Sequence, residues 1–264
     1  MEEEKVEVTV LMSVYKEENE EIKEAIESIL KQSFNNFEFL IIDDGQEERI
    51  QKLIKGFNDP RIKLIINDSN MGLARSLNKG IELAKGEYIV RMDADDISYP
   101  DRIEKQYNFV KKNPQYAVIA GKADIFDQNG IYGTIGKSGK VEKKQLVKGT
   151  PFIHPTMLIN KDYIKQIGGY PNYRRAQDYA MIMKLYSKGF KGYIMDDILI
   201  KYRMDKNGYK KKKFKYRIME MKIRAKYYKE LKVPLINYIY VLKPIIIGLI
   251  PKKIQMIYHN KRMK

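Results

Sequence analysis

The sequence lacks cysteine and tryptophan altogether and has only two histidines among its 264 residues. Without cysteine the chain has no disulfide framework and no thiolate chemistry. The two histidines, His154 and His259, are too few for a histidine-rich metal site. The amino terminus also lacks a signal-peptide pattern, because an acidic stretch at residues 1–5 leads directly into a predicted strand. We therefore expect a protein that stays in the cytoplasm.

Acidic residues are scarce in the last part of the chain, and this scarcity accounts for the whole net charge of +16. Residues 206–264 contain 18 Lys and Arg against 2 Glu, whereas residues 1–205 contain 32 of each sign. Net charge bears on where a protein sits and what it meets rather than on its fold. We therefore divide the chain into a folded domain, residues 1–205, and a basic tail, residues 206–264.

Strand-like and helix-like patterns alternate along the folded domain, which predicts an α/β fold with parallel pairing and right-handed crossovers. Strands are predicted at residues 6–14, 37–42, 62–66, 88–92, 116–121 and 154–159, with one or two more between 190 and 203. Helices are predicted at residues 18–32, 47–57, 73–84, 100–113, 161–167 and 179–188. The segment 130–149 is rich in glycine and lysine and predicts a mobile loop.

Three carboxylates, Asp93, Asp95 and Asp96, directly follow a predicted buried strand. Open α/β sheets place their ligand sites at the carboxyl ends of the strands. Carboxylate oxygens suit hard divalent cations such as Mg²⁺ or Mn²⁺, which often bind substrate phosphates as well. Aspartates at strand ends also cap helices and solvate turns, so a structural role stays open. An EF-hand loop is excluded, because Ser98 replaces its glycine and Pro100 interrupts it.

Polar or aromatic side chains also follow the first two predicted strands, at Tyr15 and at Asp43 and Asp44. In a parallel sheet these strand ends share one edge, so we expect these residues to converge with the three carboxylates on one crevice. Each has a structural alternative. Tyr15 can belong to the core, and the two aspartates can form the turn before Gly45.

Eight short segments between Val6 and Arg203 occur in an order and spacing that is specific as a set, although each alone is a weak signal. They are Met12-Ser-Val-Tyr15, the segments 28–34, 39–45 and 70–80, Asp93-Ala-Asp95, Pro100-Asp-Arg102, His154-Pro155 and Gln177-Asp178. This set resembles the family 2 glycosyltransferases of the GT-A fold. The resemblance implies a Rossmann-like, mostly parallel central sheet flanked by helices. It also implies an inverting transfer from a nucleotide-diphosphate sugar, with UDP as the expected nucleotide.

The resemblance implies a role for each matching residue at the donor end of the site. Tyr15 is expected to lie against the nucleobase, and Asp44 is expected to hydrogen-bond the edge of the base, with Asp43 beside it. Asp93 is expected to contact the ribose or the metal. Asp95 is expected to coordinate Mn²⁺ or Mg²⁺ on the diphosphate.

A base and several weaker contacts complete the implied site. Asp178 is in the position of the general base that deprotonates the acceptor hydroxyl, although it can also be the amino-terminal cap of its helix. Arg75 and Arg175 are candidates to face the diphosphate. His154 and Asp96 are candidates for donor or acceptor contacts, and a hydrogen-bonded structural role is the alternative for His154.

The sequence departs from the family pattern at two places. Gln46 replaces the serine that usually follows the Asp-Asp-Gly turn, which leaves the details of nucleotide contact open. The absence of tryptophan removes the Gln-x-x-Arg-Trp signature of processive synthases. We therefore expect transfer of a single sugar rather than polymerisation.

The basic tail combines a helical basic run, residues 210–232, with an apolar segment, residues 233–251. The apolar stripe predicted for the run consists of Phe214, Ile218, Met221 and Ala225. The apolar segment is long enough to span a bilayer, but Lys243 and Pro244 interrupt it. Basic clusters beside apolar helices suit an anionic membrane surface, so we expect peripheral attachment to the inner face of the cell membrane. The alternative is a helical hairpin packed on the folded domain with a solvated basic face.

Several classes of function compete for this pattern. The leading interpretation is a glycosyltransferase that acts on a lipid-linked or cell-envelope glycan. A nucleic-acid-binding or sugar-nucleotide-binding protein without transferase activity is the second, but an acidic crevice repels nucleic-acid phosphates, so we expect no nucleic acid. A sugar nucleotidyltransferase is the third, but Tyr15-Lys-Glu-Glu18 is not the glycine-rich phosphate loop that it needs.

Overall fold

The computed structural model describes residues 5–204, 213–251 and 254–255, and its strands and helices confirm the predicted α/β class. The strands are β1 Val8–Val14, β2 Phe37–Asp43, β3 Ile62–Ile66, β4 Tyr88–Asp93, β5 Ile97–Ser98, β6 Val118–Asp127, β7 Gly130–Ile135, β8 Gly139–Val141, β9 Leu158–Asn160 and β10 Gly192–Arg203. The α-helices are α1 Asn19–Leu30, α2 Glu48–Gly56, α3 Leu73–Leu83, α4 Arg102–Lys112, α5 Lys143–Lys148, α6 Lys161–Gln166, α7 Gln177–Ser187, α8 Phe214–Glu230 and α9 Lys243–Leu249. Two 3₁₀ helices lie at His154–Thr156 and Leu235–Val241.

The described strands form one sheet in the order β3-β2-β1-β4-β9-β6-β10-β5, with β7 beside β6 and β8 beside β10. The first four strands of this order pair in parallel, as the alternation predicts, and β6 also pairs in parallel with β10. β9 runs antiparallel between β4 and β6, so the sheet is mixed rather than mostly parallel. The parallel half of the sheet carries the strand ends at which the site is predicted.

Apolar side chains cover both faces of the sheet. Along β4, Val90 and Met92 pack with α1, α2 and α4 on one face, whereas Ile89 packs with α3, α7 and α8 on the other. Strands buried on both faces are apolar along their whole length, because every side chain meets a helix. This burial explains why β1, β2 and β4 are largely apolar, apart from Thr9, Glu38 and Arg91, and end abruptly in polar residues.

The prediction of a mobile loop at 130–149 is wrong, because the segment forms β7, β8 and α5. Leu146 and Val147 are buried in the core and fix the segment on the folded domain. Gly136 and Gly139 have φ of 112° and 117° and make the turn between the two strands, a conformation that other residues rarely adopt.

The predicted strand at 154–159 is correct only in its last part. Residues His154–Thr156 form a 3₁₀ turn with Pro155 in its first positions, and β9 begins at Leu158. Proline has no N–H to donate to a sheet but suits the first turn of a helix. The turn places His154 beside the carboxyl end of β4 instead of within a strand.

The first described helix of the basic tail is α8, which packs on the folded domain through a face that the sequence pattern did not predict. The buried residues of α8 are Arg217, Ile223, Arg224, Tyr227 and Tyr228. The predicted stripe is wrong, since Phe214 is 48% exposed and Ala225 is also exposed. Arg224 Nη1 donates to the Val147 carbonyl at 2.8 Å, and the Tyr228 hydroxyl donates to the same oxygen. Tyrosine and arginine, which count as polar in a helical pattern, therefore make this contact.

Part of the tail lies outside the described residues, namely the basic clusters at 210–212, 252–253 and 261–262 and also His259. Among the residues that are described, no helix combines the length and the apolar character that a bilayer span requires. The apolar segment 233–251 is instead divided between the 3₁₀ helix Leu235–Val241 and the short α9, which has Pro244 in its first turn.

Glu38 in β2 is a buried carboxylate that links the strands around it. Its oxygens accept hydrogen bonds from Thr9 Oγ1 at 2.8 Å, from Lys63 Nζ at 2.6 Å and from the Lys85 backbone N–H at 2.5 Å. Burial raises the pKa of Glu38, but the hydrogen bonds from Lys63, Lys85 and Thr9 outweigh it and hold the pKa below its ordinary 4.5. The ionised form is therefore the one that stabilises the fold.

Glu38→Gln is expected to lower the free energy of unfolding by about 1.5–3 kcal/mol at pH 7, because the charge-assisted hydrogen bonds are lost. A carboxylate whose pKa is lowered by folding contributes stability above its unfolded pKa and loses it as the pH falls. The difference between variant and wild type should therefore shrink below about pH 4. Urea unfolding of both proteins at pH 7 and below about pH 4 measures this difference in the free energy of unfolding. An equal difference at the two pH values would contradict the role of the ionised carboxylate.

Candidate active site

The carboxyl ends of β1, β2 and β4 lie side by side because their parallel pairing is in register. Ser13 pairs with Asp93 across β1 and β4, and Val14 pairs with Asp43 across β1 and β2. The chain after each of these pairs leaves the sheet at the same edge, which brings Tyr15 and Asp44 to the edge where β4 ends. The predicted convergence of the strand ends on one edge is therefore present.

Three carboxylates meet at the end of β4. Asp93, Asp95 and Asp96 each place one carboxylate oxygen within 4.8 Å of the others, with Asp96 fully buried. Burial and then the charge of Asp93 raise the pKa of Asp95 to about 6, and burial with both neighbouring charges raises the pKa of Asp96 well above its ordinary value. Carboxylates this close repel one another, and an all-oxygen donor set is the one that Mg²⁺ and Mn²⁺ prefer. The cluster therefore fits a divalent cation.

Arg203, the last residue of β10, holds the turn that carries Asp95 and Asp96. Its backbone N–H donates to Asp96 Oδ1 at 2.8 Å, and its Nε donates to the Asp95 carbonyl at 2.7 Å. Its guanidinium pairs with Glu24 of α1 at 2.5 Å and lies 4.5 Å from the ring centroid of Phe126. Sequence reasoning missed this residue, because only the arrangement of the strands brings residue 203 to residue 95.

Two buried arginines lie beneath the cluster. Arg91, in β4, forms an ion pair with Asp93. Arg102 donates to the carbonyl oxygens of Arg91 and Pro155, each at 2.7 Å, and so ties β4 to the 3₁₀ turn at His154. The sequence could have pointed to Arg91, because it is a charged residue inside an otherwise apolar strand. It could also have pointed to Arg102, which ends the matching Pro-Asp-Arg segment.

Tyr170 is buried beside His154, in the turn that follows β4 in space. Its hydroxyl is 3.0 Å from His154 Nε2, and burial lowers the pKa of His154 well below its ordinary value, with the Arg91 charge adding to the effect. Burial also raises the pKa of Tyr170, and the charges of Asp178 and Asp93 raise it further. His154 is thus a neutral, hydrogen-bonded side chain, as its structural alternative states. The charges of Asp93 and Asp178 both influence the Tyr170 hydroxyl.

Asp178 is in the first turn of α7 and is half-buried. The amino-terminal cap of that helix is Ala176, which has a left-handed φ of 57°, so the alternative that Asp178 is the cap is wrong. This position lies at the amino-terminal end of the helix, and a carboxylate is a side chain that can accept a proton from a hydroxyl. The role of Asp178 as the base stays a prediction.

Asp44 organises the loop that precedes α3. One of its oxygens accepts from Asn67 Nδ2 and the Met71 N–H, and the other accepts from Asn70 Nδ2 and the Gly72 N–H. Asp43 caps the turn after β2, where its Oδ1 accepts from the Gly45 and Gln46 N–H groups. Both aspartates therefore make the turn contacts of their structural alternative, and their predicted roles at the nucleotide stay predictions.

Tyr15 is 42% exposed at the edge of the crevice, with Lys16 Nζ 5.2 Å from its ring centroid. The alternative that Tyr15 belongs to the core is therefore wrong. An exposed aromatic ring at a strand end is a surface on which a nucleobase can stack. Its contact with a base stays a prediction.

The two arginines proposed for the diphosphate have protein partners. With its amide oriented so that the oxygen faces α3, Asn172 accepts from Arg75 Nε at 3.1 Å and from Nη2 at 3.0 Å. The Arg175 guanidinium lies 5.6 Å from the ring centroid of Tyr216 in α8. Arg75 thus joins α3 to the loop before α7, and Arg175 joins that loop to the tail. Their contact with the diphosphate stays a prediction.

Gly45 sits under Tyr15, which makes it a test of the predicted nucleobase platform. A Cβ added at Gly45 would lie 1.9 Å from the Tyr15 carbonyl oxygen, so Gly45→Ala must displace the strand end that carries the ring. We expect the variant to lose about 1–3 kcal/mol of stability from this overlap and to bind UDP at least about tenfold more weakly.

Calorimetric titration with UDP measures the affinity, and Gly56→Ala is the matched control, because nothing lies within 4 Å of a Cβ at Gly56. The control should bind UDP like the wild type. An unchanged affinity in Gly45→Ala would remove Tyr15 from the nucleotide site.

Comparison with known proteins agrees with this arrangement. The sequence model of Glycosyl transferase family 2 matches residues 9–168, which include β1 to β4 and the carboxylate cluster. In solved structures, Staphylococcus aureus TarS 1-349 in complex with UDP-GlcNAc is similar in fold, with a TM-score of 0.66 at 18% identity over 94% of this chain and 82% of that chain.

Two sequence relatives cover most of both chains. The Bacillus subtilis (strain 168) protein EpsE, a glycosyltransferase by name, is 36% identical over 97% of this chain and 94% of its own length. The Escherichia coli UDP-Gal:alpha-D-GlcNAc-diphosphoundecaprenol beta-1,3-galactosyltransferase is 30% identical over 84% of this chain and 83% of its own length. With a family match across the carboxylate cluster and relatives of this extent, the chain belongs to glycosyl transferase family 2 and has the GT-A fold.

Proposed function

We propose that the protein is an inverting glycosyltransferase that moves a single sugar from a UDP-sugar to a hydroxyl of a lipid-linked or cell-envelope glycan. The observation that carries the proposal is the cluster of Asp93, Asp95 and Asp96 at the carboxyl ends of the parallel strands, with Tyr15 exposed at the same edge. The E. coli relative uses UDP-Gal by name, and the S. aureus neighbour was solved with UDP-GlcNAc, which supports a UDP-sugar donor.

Asp95 and Asp93 are the residues that would hold Mn²⁺ or Mg²⁺, since their oxygens are half-exposed, whereas Asp96 is buried and bonded to the Arg203 N–H. A bound divalent cation neutralises the charge that builds on a diphosphate as the sugar leaves. Arg91 pairs with the Asp93 carboxylate, and Arg203 holds the backbone of Asp95, so the site is arranged before the donor arrives.

The transfer itself needs an in-line arrangement of acceptor, sugar and diphosphate. The acceptor hydroxyl oxygen forms a bond to the anomeric carbon, and the bond from that carbon to the diphosphate oxygen breaks. Asp178 accepts the hydroxyl proton, and UDP leaves with the electron pair.

The relatives and the charge of the tail support the proposed acceptor and location. The E. coli relative acts on a sugar linked to diphosphoundecaprenol by name, and such an acceptor is confined to a membrane. Residues 206–264 carry the whole net charge of +16, which favours an anionic membrane surface. We therefore place the protein at the inner face of the cell membrane as a peripheral enzyme that works from the cytoplasm.

A donor screen tests the proposed reaction. UDP release from UDP-Glc, UDP-Gal and UDP-GlcNAc is followed with Mn²⁺ present, with and without GlcNAc-diphosphoundecaprenol in detergent. One donor should give UDP release that depends on the acceptor and yields one added sugar per acceptor. Absence of acceptor-dependent release with every nucleotide sugar, GDP-linked and dTDP-linked donors included, would contradict the proposed function.

A further inference from the structure

The described part of the tail exposes a group of apolar side chains that are close together in the sequence. This apolar ridge consists of Leu235, Ile236, Ile239, Leu242, Ile246 and Leu249. Leu235 and Ile236 are 84% and 83% exposed, and the other four are each more than half exposed. Scattered apolar residues are normal at a protein surface, but a continuous group marks a surface that another body covers.

The ridge is fixed in place, because the opposite sides of the two helices pack on the protein. Tyr238 and Tyr240 of the 3₁₀ helix pack against the core, and Pro244 of α9 is buried. Gly248 lets α9 approach α8 closely, since a Cβ there would lie 2.6 Å from Arg217 Cδ. The exposed side chains therefore cannot turn inward without breaking these contacts.

The sequence periods of the two helices place most of the ridge on one side of each helix. Leu235, at the start of the 3₁₀ helix, is the exception, because at three residues per turn it shares a face with Tyr238. Ile236 and Ile239 are three residues apart, which is one turn of a 3₁₀ helix. Ile246 and Leu249 are also three apart, within the spacing that places residues on one face of an α-helix. Neither helix is long enough to cross a bilayer, so a membrane would meet the ridge from the side.

The positive charge of the segment indicates what kind of partner covers the apolar ridge. Residues 231–264 contain seven Lys and Arg and no Asp or Glu, so the segment of sequence that carries the apolar side chains is basic and free of acidic residues. A second copy of the chain would bring the same positive charge to the contact, and like charges oppose such pairing. A surface of anionic lipids offers the opposite charge together with an apolar interior. We propose that the apolar ridge docks on the surface of an anionic lipid bilayer.

The contacts of α8 link the tail that bears the apolar ridge to α7, the helix of the predicted base. Arg224 of α8 lies 5.0 Å from the ring centroid of Tyr179 in α7, and Arg175 lies 5.6 Å from Tyr216. α7 begins with the turn that holds Asp178. A ridge seated on lipid would therefore hold the base at a fixed distance from the bilayer. This last step rests on the proposed function, because it gives the fixed distance to a lipid-linked acceptor.

Vesicle flotation tests the docking with the full chain. The probe is unilamellar vesicles of phosphatidylcholine with phosphatidylglycerol, and pure phosphatidylcholine vesicles are the comparison. Ile236→Glu with Ile239→Glu should lower the partition coefficient for the anionic vesicles at least about tenfold, because two apolar side chains no longer enter the interface. Raised salt should weaken wild-type binding only in part, since the apolar contact is not screened.

A matched control adds the same charge elsewhere. Leu83→Glu with Ile131→Glu alters two other exposed apolar residues, 48% and 52% exposed, and should leave vesicle binding within about twofold of the wild type. Equal binding by the ridge variant and the wild type would overturn the proposal. So would a wild-type dimer in light scattering that the ridge variant abolishes while vesicle binding is unchanged, because a second copy would then be the occupant.

A second readout separates this inference from the proposed function. UDP release with a short, water-soluble acceptor should be unchanged in the ridge variant, because none of its substitutions touches the site, whereas release with the acceptor embedded in anionic vesicles should fall. If the wild type binds vesicles through the ridge but no donor is turned over, the docking stands and the proposed function fails. If the wild type turns over a donor normally but does not bind the vesicles, the proposed function stands and the docking proposal fails.

Discussion

Asp95→Asn is expected to abolish sugar transfer and to remove the Mn²⁺ dependence of UDP binding while the fold is retained. Asp95, like Asp93, is only partly buried, and burial together with the charge of Asp93 raises its pKa to about 6. An amide at this position supplies a neutral oxygen in place of a charged one. Loss of one group that stabilises transition-state charge lowers turnover by about 10²–10³-fold, and loss of the cation as well should exceed this.

UDP release under saturating donor, and calorimetric UDP binding with and without Mn²⁺, measure these effects. Asp196→Asn is the matched control, because the Asp196 side chain is 81% exposed and pairs with Lys122 at the surface. The control should retain wild-type turnover. Full wild-type activity in EDTA, or an Asp95→Asn variant that still needs Mn²⁺ to bind UDP, would contradict a metal held by Asp95.

Asp178→Asn is expected to bind UDP like the wild type but to transfer sugar at least about 10²-fold more slowly. The amide keeps the shape of the first turn of α7 but cannot accept a proton from the acceptor hydroxyl. Because the loss concerns the chemical step, kcat should fall, while the KM for the donor should change little.

The chain offers a close control for this variant. Asp162 is the second residue of α6, just as Asp178 is the second residue of α7, and both lie in the acidic first turn of their helices. Asp162→Asn removes the same charge from the same helical position in another helix and should leave kcat unchanged. A wild-type kcat in Asp178→Asn would move the role of base to another residue, with Asp124 and Asp127 the next to test.

The strand ends were accessible from the sequence because burial and polarity change sharply there. An apolar strand that passes directly into Asp93-Ala-Asp95 or Asp43-Asp44 marks the point where the chain leaves the core, and the alternation of elements puts those ends on one edge. The register between Ser13 and Asp93 confirms the shared edge. The sequence pattern does not show which carboxylate oxygens already accept hydrogen bonds within the protein. Asp44 is an example, because its two oxygens accept from four donors.

Several of the features that were missed depend on contacts distant in sequence. Arg203 reaches Asp95 across 108 residues, and no local pattern records that pairing. The buried face of α8 uses Tyr227, Tyr228 and Arg224, which a helical pattern assigns to solvent. The antiparallel pairing of β9 between β4 and β6 likewise has no signal in the sequence. The reason is that β9 has only three residues, and a strand so short can pair in either direction.

The packing of α8 also changes how the tail can be studied. A chain cut near Arg203 would lose Ile223, Tyr227 and Tyr228 from the core and expose the surface beneath them. Loss of vesicle binding in such a truncation would therefore not distinguish docking from unfolding. Substitutions on the apolar ridge avoid this problem, since the altered side chains already face solvent.

The anomeric configuration of the product tests the central claim most directly. In a single in-line displacement with Asp178 as base, the acceptor hydroxyl attacks the face of the sugar opposite to the departing UDP. Proton NMR of the product formed from an α-linked UDP-sugar should therefore show only a β-linkage, with one UDP released for each sugar transferred. An α-linked product would require a different mechanism, and release of free sugar without any linkage would contradict transfer itself.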